Sequence, residues 1–185
     1  LTPGDIIGFV GHSPSSALIS LGCVGIPFWS LSHVGIIGEL HGKLVLFHST
    51  TDDKQACLIQ GEQFNGSQCH DLATVNNYHG KVYHYPISRP LYQHERDRLN
   101  EYLIESVGRP YDTLSAVRSG GFLFSLIEGV LRRQSLNRVF CSEYVAAAHA
   151  NIGLFATCNA SRWNPSRLVR AERLAGILCP PERLK

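Results

Sequence analysis

Cys141, His33 and His48 have the residue types that nucleophilic acyl transfer requires. A free thiol is mostly protonated at neutral pH. A nucleophilic cysteine therefore needs a base within hydrogen-bond reach, and the base needs a partner to orient it. Cys141 stands near the front of the run Phe140-Cys141-Ser142-Glu143-Tyr144-Val145-Ala146-Ala147-Ala148-His149-Ala150-Asn151-Ile152-Gly153. This run is alanine-rich, carries Val145, Ala148 and Ile152 on one stripe, and ends in glycine, so it predicts a helix. A cysteine at the start of a helix meets unsatisfied backbone N–H groups and the positive end of the dipole. Both favour the thiolate, and the same N–H groups can hold an oxyanion.

The histidines need strands to fix their directions. Thr2-Pro3-Gly4-Asp5 is turn chemistry, with Asp5 shaping the turn, and the apolar run Ile6, Ile7, Phe9, Val10 after it reads as a strand. Residues 11–31 are rich in Gly, Ser and Pro and read as a loop. His33-Val34-Gly35-Ile36-Ile37-Gly38 predicts a second strand and Leu44-Val45-Leu46-Phe47-His48-Ser49 a third, joined through Gly42 as an antiparallel hairpin. That pairing would put His33 and His48 on one face near one end of a sheet, the arrangement a Cys–His–third-residue triad requires. Cys57-Leu58-Ile59 and Val82-Tyr83-His84-Tyr85 are further strand candidates, separated by a polar stretch. Cys69-His70-Asp71 in that stretch has metal-ligand types, but adjacent residues on an extended chain point apart. Helical spacing follows from Leu91 to Val107 with Gly108 as its stop, and again across residues 114–131. The tail from Ser161 is polar and basic, and Asn164-Pro165 marks a turn. Strands first and helices after make this an α+β chain.

Bulk properties narrow the partners. The chain has 185 residues, 44% hydrophobic and 17% charged, which fits one globular domain over residues 1–185. A formal charge of +2 demands neither nucleic acid nor an anionic membrane. The six cysteines contain no CxxC pair, which removes zinc-ribbon and thioredoxin readings. Their scatter reads as reduced thiols and an intracellular, cytoplasmic setting. No stretch has the roughly 18 apolar residues of a membrane span, which leaves peripheral membrane contact open. Taken alone, a cysteine in an alanine-rich helix is more often a small core residue than a nucleophile.

Five segments, in order, resemble the circularly permuted NlpC-like branch of the papain-like superfamily. They are Pro3-Gly4-Asp5-Ile6-Ile7, Ser32-His33-Val34-Gly35-Ile36, Gly108-Arg109-Pro110-Tyr111-Asp112, Phe140-Cys141-Ser142-Glu143-Tyr144-Val145 and Asn164-Pro165-Ser166-Arg167-Leu168. Leu44-Val45-Leu46-Phe47-His48-Ser49-Thr50 sits where that group has its third polar residue. The group takes in YiiX-type and poxvirus proteins and, more distantly, lecithin retinol acyltransferases. The resemblance implies a small antiparallel sheet or open barrel packed against helices, with the nucleophile at a helix N-terminus. It makes Cys141 the nucleophile, His33 the base and later acid, and His48 the orienting residue, and it puts Tyr111 and Asp112 in the substrate cleft. Many YiiX-type and poxvirus members have Glu at the position of His48; a histidine supports the imidazolium less than a carboxylate does.

The activity implied is hydrolysis of an amide or peptide bond through an acyl-enzyme on Cys141, with no metal or organic cofactor. A lipid-directed thiol acyltransferase or lipase is the alternative, suggested by the apolar segment Gly120-Gly121-Phe122-Leu123-Phe124-Ser125-Leu126-Ile127, which could form a lid or a core helix. A non-catalytic binding module of the same fold is the third reading.

Overall fold

The structure, a computed structural model, describes residues 1–11, 31–50, 55–109, 131–156 and 163–185, with residues 131–140 as helix backbone alone. Its centre is a six-stranded antiparallel sheet built from β1 (Ile6–Gly11), β2 (His33–Leu40), β3 (Lys43–Thr50), β4 (Gly66–Asp71), β5 (Gly80–Tyr85) and β6 (Glu182–Arg183). The strand order is β4-β3-β2-β1-β5-β6. Among the described residues four helices accompany it: α1 (Ala73–Asn77), α2 (Gln93–Glu105), α3 (Leu131–Asn151) and α4 (Pro165–Leu174). The α+β expectation holds.

The β2–β3 hairpin forms as its sequence requires. His41 and Gly42 both take positive φ, 51° and 75°, the geometry of a two-residue turn that matches the twist of paired strands. Its register places Gly35 opposite His48 and Ile37 opposite Leu46. Alternation then divides the core. Val34, Ile36, Val45, Phe47 and Cys69 face α2, α3 and α4 in the larger cluster, together with Leu99, Leu103, Val145 and Leu168. Ile7, Phe9, Ile37, Leu46 and Val82 form a smaller cluster on the opposite face, joined by Val75 of α1. Helix α3 packs across β2 and β3 and also against α2 and α4. Gly38 makes room on the helix side: a Cβ there would lie 2.7 Å from both the Leu103 and Phe47 side chains.

Several elements differ from their sequence expectation. Cys57-Leu58-Ile59 is a turn, closed by Gly61 N–H donating to the Cys57 carbonyl at 2.8 Å with Gly61 at φ +73°. The polar stretch Gly66–Asp71 is a strand. Asn164-Pro165 starts α4 rather than marking a simple turn: Asn164 caps the helix by accepting from the Arg167 N–H at 2.9 Å, and Pro165 fills the first turn. Among the described residues no helix is long and apolar enough to cross a membrane. Cys57, Cys69, Cys141 and Cys179 are free thiols.

Candidate active site

His33 opens β2 opposite Phe9, and His48 lies opposite Gly35 two positions further along the same strand. In a pleated pair those residues share a face and sit diagonally adjacent. The rings meet edge to face, with His33 Nε2 2.9 Å from His48 Nδ1. The His33–His48 contact expected from the hairpin is therefore formed.

The pair continues into a third ring. His48 Nε2 lies 2.8 Å from His70 Nδ1, again edge to face. His70 sits on β4 opposite Leu46, while Gln68 lies opposite His48. His48 and His70 are buried and His33 is half-buried. Sequence reasoning missed His70 because Gly66-Ser67-Gln68-Cys69-His70-Asp71 lacks apolar alternation. The expectation that Cys69 and His70 point apart is correct: Cys69 joins the helix-side cluster and His70 the other face. The four ring nitrogens that join the histidines bond one another in series rather than converging on a point. Among the described residues no group of three His, Cys, Asp or Glu is arranged to hold a metal ion.

Cys141 does not open its helix. Helix α3 begins at Leu131, so the cysteine lies in its interior, and the expected nucleophile at a helix N-terminus is not what forms. The cause is visible in Leu131-Arg132-Arg133-Gln134-Ser135-Leu136-Asn137-Arg138-Val139, which contains good helix formers and no Gly or Pro to stop propagation. An interior cysteine gains little from the helix dipole, whose effect is confined to the terminal turn. Cys141 is fully buried in the helix-side cluster with Val34, Ile36 and Phe47. Strand alternation turns His33 and His48 toward the Ile37 and Leu46 face. The structure thus joins the two histidines, adds a third, and sets Cys141 in the helix layer that packs across their strands.

Neighbouring groups are chiefly structural. Ser142 donates to the Trp163 carbonyl, tying α3 to the approach to α4. Glu143 is half-buried, and burial raises its carboxyl to about 7. Its Oε1 has no hydrogen-bond partner among the described residues. Asp5 shapes the N-terminal turn as expected and does more: its carboxylate accepts from Thr2 N–H at 2.8 Å, Ile87 N–H at 3.0 Å and His84 Nε2 at 2.7 Å. Tyr111, Asp112 and the apolar segment 120–127 lie outside the described residues.

The fold is similar to that of the metalloprotein YiiX from Escherichia coli O157:H7, with a TM-score of 0.51 and 19% sequence identity. The match covers 82% of this chain and 66% of YiiX, so this chain corresponds to about two thirds of the YiiX length. At that identity the likeness speaks for the fold alone. No protein-family model and no curated protein matches the sequence.

Proposed function

We propose that the protein is a cysteine-dependent hydrolase of amide or peptide bonds, acting through an acyl-enzyme on Cys141. The observation that supports this reading is the 2.9 Å contact between His33 Nε2 and His48 Nδ1, which fixes the orientation of the His33 ring. The helix bearing Cys141 packs across the same two strands. His33 Nδ1 takes the thiol proton and the thiolate attacks the carbonyl carbon. The tetrahedral intermediate collapses as the C–N bond breaks, and His33 returns its proton to the leaving amine. Water then adds to the thioester with His33 as base, releasing the acid and the thiol. Ester and thioester carbonyls enter by the same steps.

The reading requires the sulfur to reach His33 around the end of β2. His33 is the first residue of that strand and is half-buried. Cys141 is buried, so substrate entry requires its cover to open.

Peptide mapping after treatment with an acyloxymethyl ketone and with iodoacetamide tests the proposal. Cys141 should react well ahead of Cys57, Cys69 and Cys179, and His33→Ala should slow it about 10²–10⁴-fold, the usual contribution of a positioned base. Equal reaction of all accessible thiols, unchanged by His33→Ala, overturns the proposal.

A further inference from the structure

We infer that His70 is a positioning residue of the histidine relay, fixing the tautomer of His48 and through it the proton-accepting nitrogen of His33. The inference rests on the proposed role of His33, and its first readout does not depend on that role. Three observations support it. His48 Nε2 and His70 Nδ1 are 2.8 Å apart, as short as a good hydrogen bond. Both rings are buried, His70 at 1% exposure, where a polar ring costs free energy unless it is bonded. His70 also pairs across the strands with Leu46, on the face that carries His33 and His48.

The tautomers follow from the geometry. A neutral imidazole has one N–H, so in a chain of three rings the N–H groups must all point one way. For His33 Nδ1 to accept a proton, its N–H is at Nε2 and donates to His48 Nδ1. His48 then carries its N–H at Nε2 and donates to His70 Nδ1. The opposite order would put the His33 proton on Nδ1 and abolish its function as a base. With its own proton on Nε2, His70 presents at Nδ1 the acceptor that this order requires. When His33 gains a proton at Nδ1, its Nε2 proton can pass to His48 Nδ1 as the His48 Nε2 proton passes to His70 Nδ1. One N–H bond forms for each that breaks, and the positive charge moves from His33 to His70. Among the described residues His84 is engaged by Asp5, and Tyr78 packs on the Phe9 ring, which itself packs on His33.

The test is long-range ¹H–¹⁵N correlation of the imidazoles in the whole chain, with His70→Phe to remove the acceptor and His70→Asn to keep an oxygen near the Nδ1 position. The expected wild-type spectrum shows His33 and His48 as Nε2–H tautomers. His70→Phe should shift His48 toward the other tautomer and displace the pH profile of Cys141 alkylation; His70→Asn should restore both. A wild-type spectrum with the proton on His48 Nδ1 overturns the inference and needs no variant to fold. Tautomers and pH profile unchanged in His70→Phe also overturn it. Should Cys141 prove no more reactive than other thiols while the tautomers respond as stated, the hydrolase reading fails and the relay stands.

Discussion

His149 and Glu172 form a buried pair whose removal has a calculable consequence. Both side chains have no exposure, His149 Nδ1 lies 3.0 Å from Glu172 Oε2, and His149 Nε2 donates to the Gly4 carbonyl at 2.9 Å. A carbonyl only accepts, so Nε2 carries a proton; a second proton on Nδ1 completes an imidazolium facing a carboxylate. Burial opposes that charge, but Glu172, the Gly4 carbonyl and Asp5 outweigh it and hold the histidine above its ordinary value of 6.5. The pair joins α3 to α4 and both to the turn before β1. Glu172→Ala leaves a buried imidazole without its partner, which costs about 3–5 kcal/mol. For a chain of this size each kcal/mol corresponds to about 2–4 °C, so the melting temperature should fall by roughly 6–20 °C. Glu172→Gln keeps a neutral partner and should cost only about 1–2 kcal/mol, the difference between charged and neutral hydrogen bonds. The sign of the pH effect follows from the raised value. The stabilisation is complete below the unfolded value near 6.5 and is lost as pH rises through the higher folded value. Urea unfolding from pH 5 upward should therefore show the wild type losing stability relative to Glu172→Gln through the neutral and alkaline range. Parallel profiles for the two proteins, or a cost below about 1 kcal/mol for Glu172→Ala, would refute the charged pair.

Two further expectations concern the frame that holds the site. Glu95 accepts two bonds from Arg89, at 2.6 and 2.8 Å, and one from the Tyr92 N–H at the start of α2. Chiefly the Arg89 bond lowers its carboxyl to about 2 from 4.5. This stabilisation is present above pH 4.5 and is lost as pH falls toward 2, so Glu95→Gln should flatten acid unfolding in that window while leaving Cys141 alkylation at neutral pH unchanged. Gly38→Ala forces a methyl against Leu103 and Phe47, whose ring and methyl ends can shift; denaturant titration should show a loss of about 1–3 kcal/mol, and no loss would mean that α2 sits further from β2 than the structure shows.

How much of this was legible in the sequence varies by residue, for physical reasons. The β2–β3 hairpin was readable because Val34, Ile36, Leu44 and Leu46 alternate around a glycine turn. So was the His33–His48 pair, which follows from the hairpin register. Val145, Ala148 and Ile152 are all buried, as their stripe requires. The start of α3 was misread because a run of polar helix formers before Phe140 has no apolar stripe, and a helix can propagate through it without one. Strand β4 was invisible for the converse reason. Ser67, Gln68 and His70 are buried by their neighbours in the sheet and by hydrogen bonds, and no periodicity of polar residues announces that. Such tertiary context routinely overrides local pattern.

Missing β4 also concealed the third ring of the proposed relay. A neutral histidine as orienting residue gives an imidazolium less support than a carboxylate, and that is the weak point of a His33–His48 pair considered alone. The sheet compensates by adjacency: His48 belongs to β3, whose other neighbour is β4, so the ring that orients the base can itself be oriented from the next strand. No local motif could encode that, because the three histidines are brought together by two separate pairings, β2 with β3 and β3 with β4. The direction of the N–H groups along those pairings, more than the identity of any one residue, decides whether His33 presents an acceptor or a proton at Nδ1. The proposed chemistry therefore depends on the sheet register, and a one-residue slip between β3 and β4 would move His70 to the helix side and break the chain of rings.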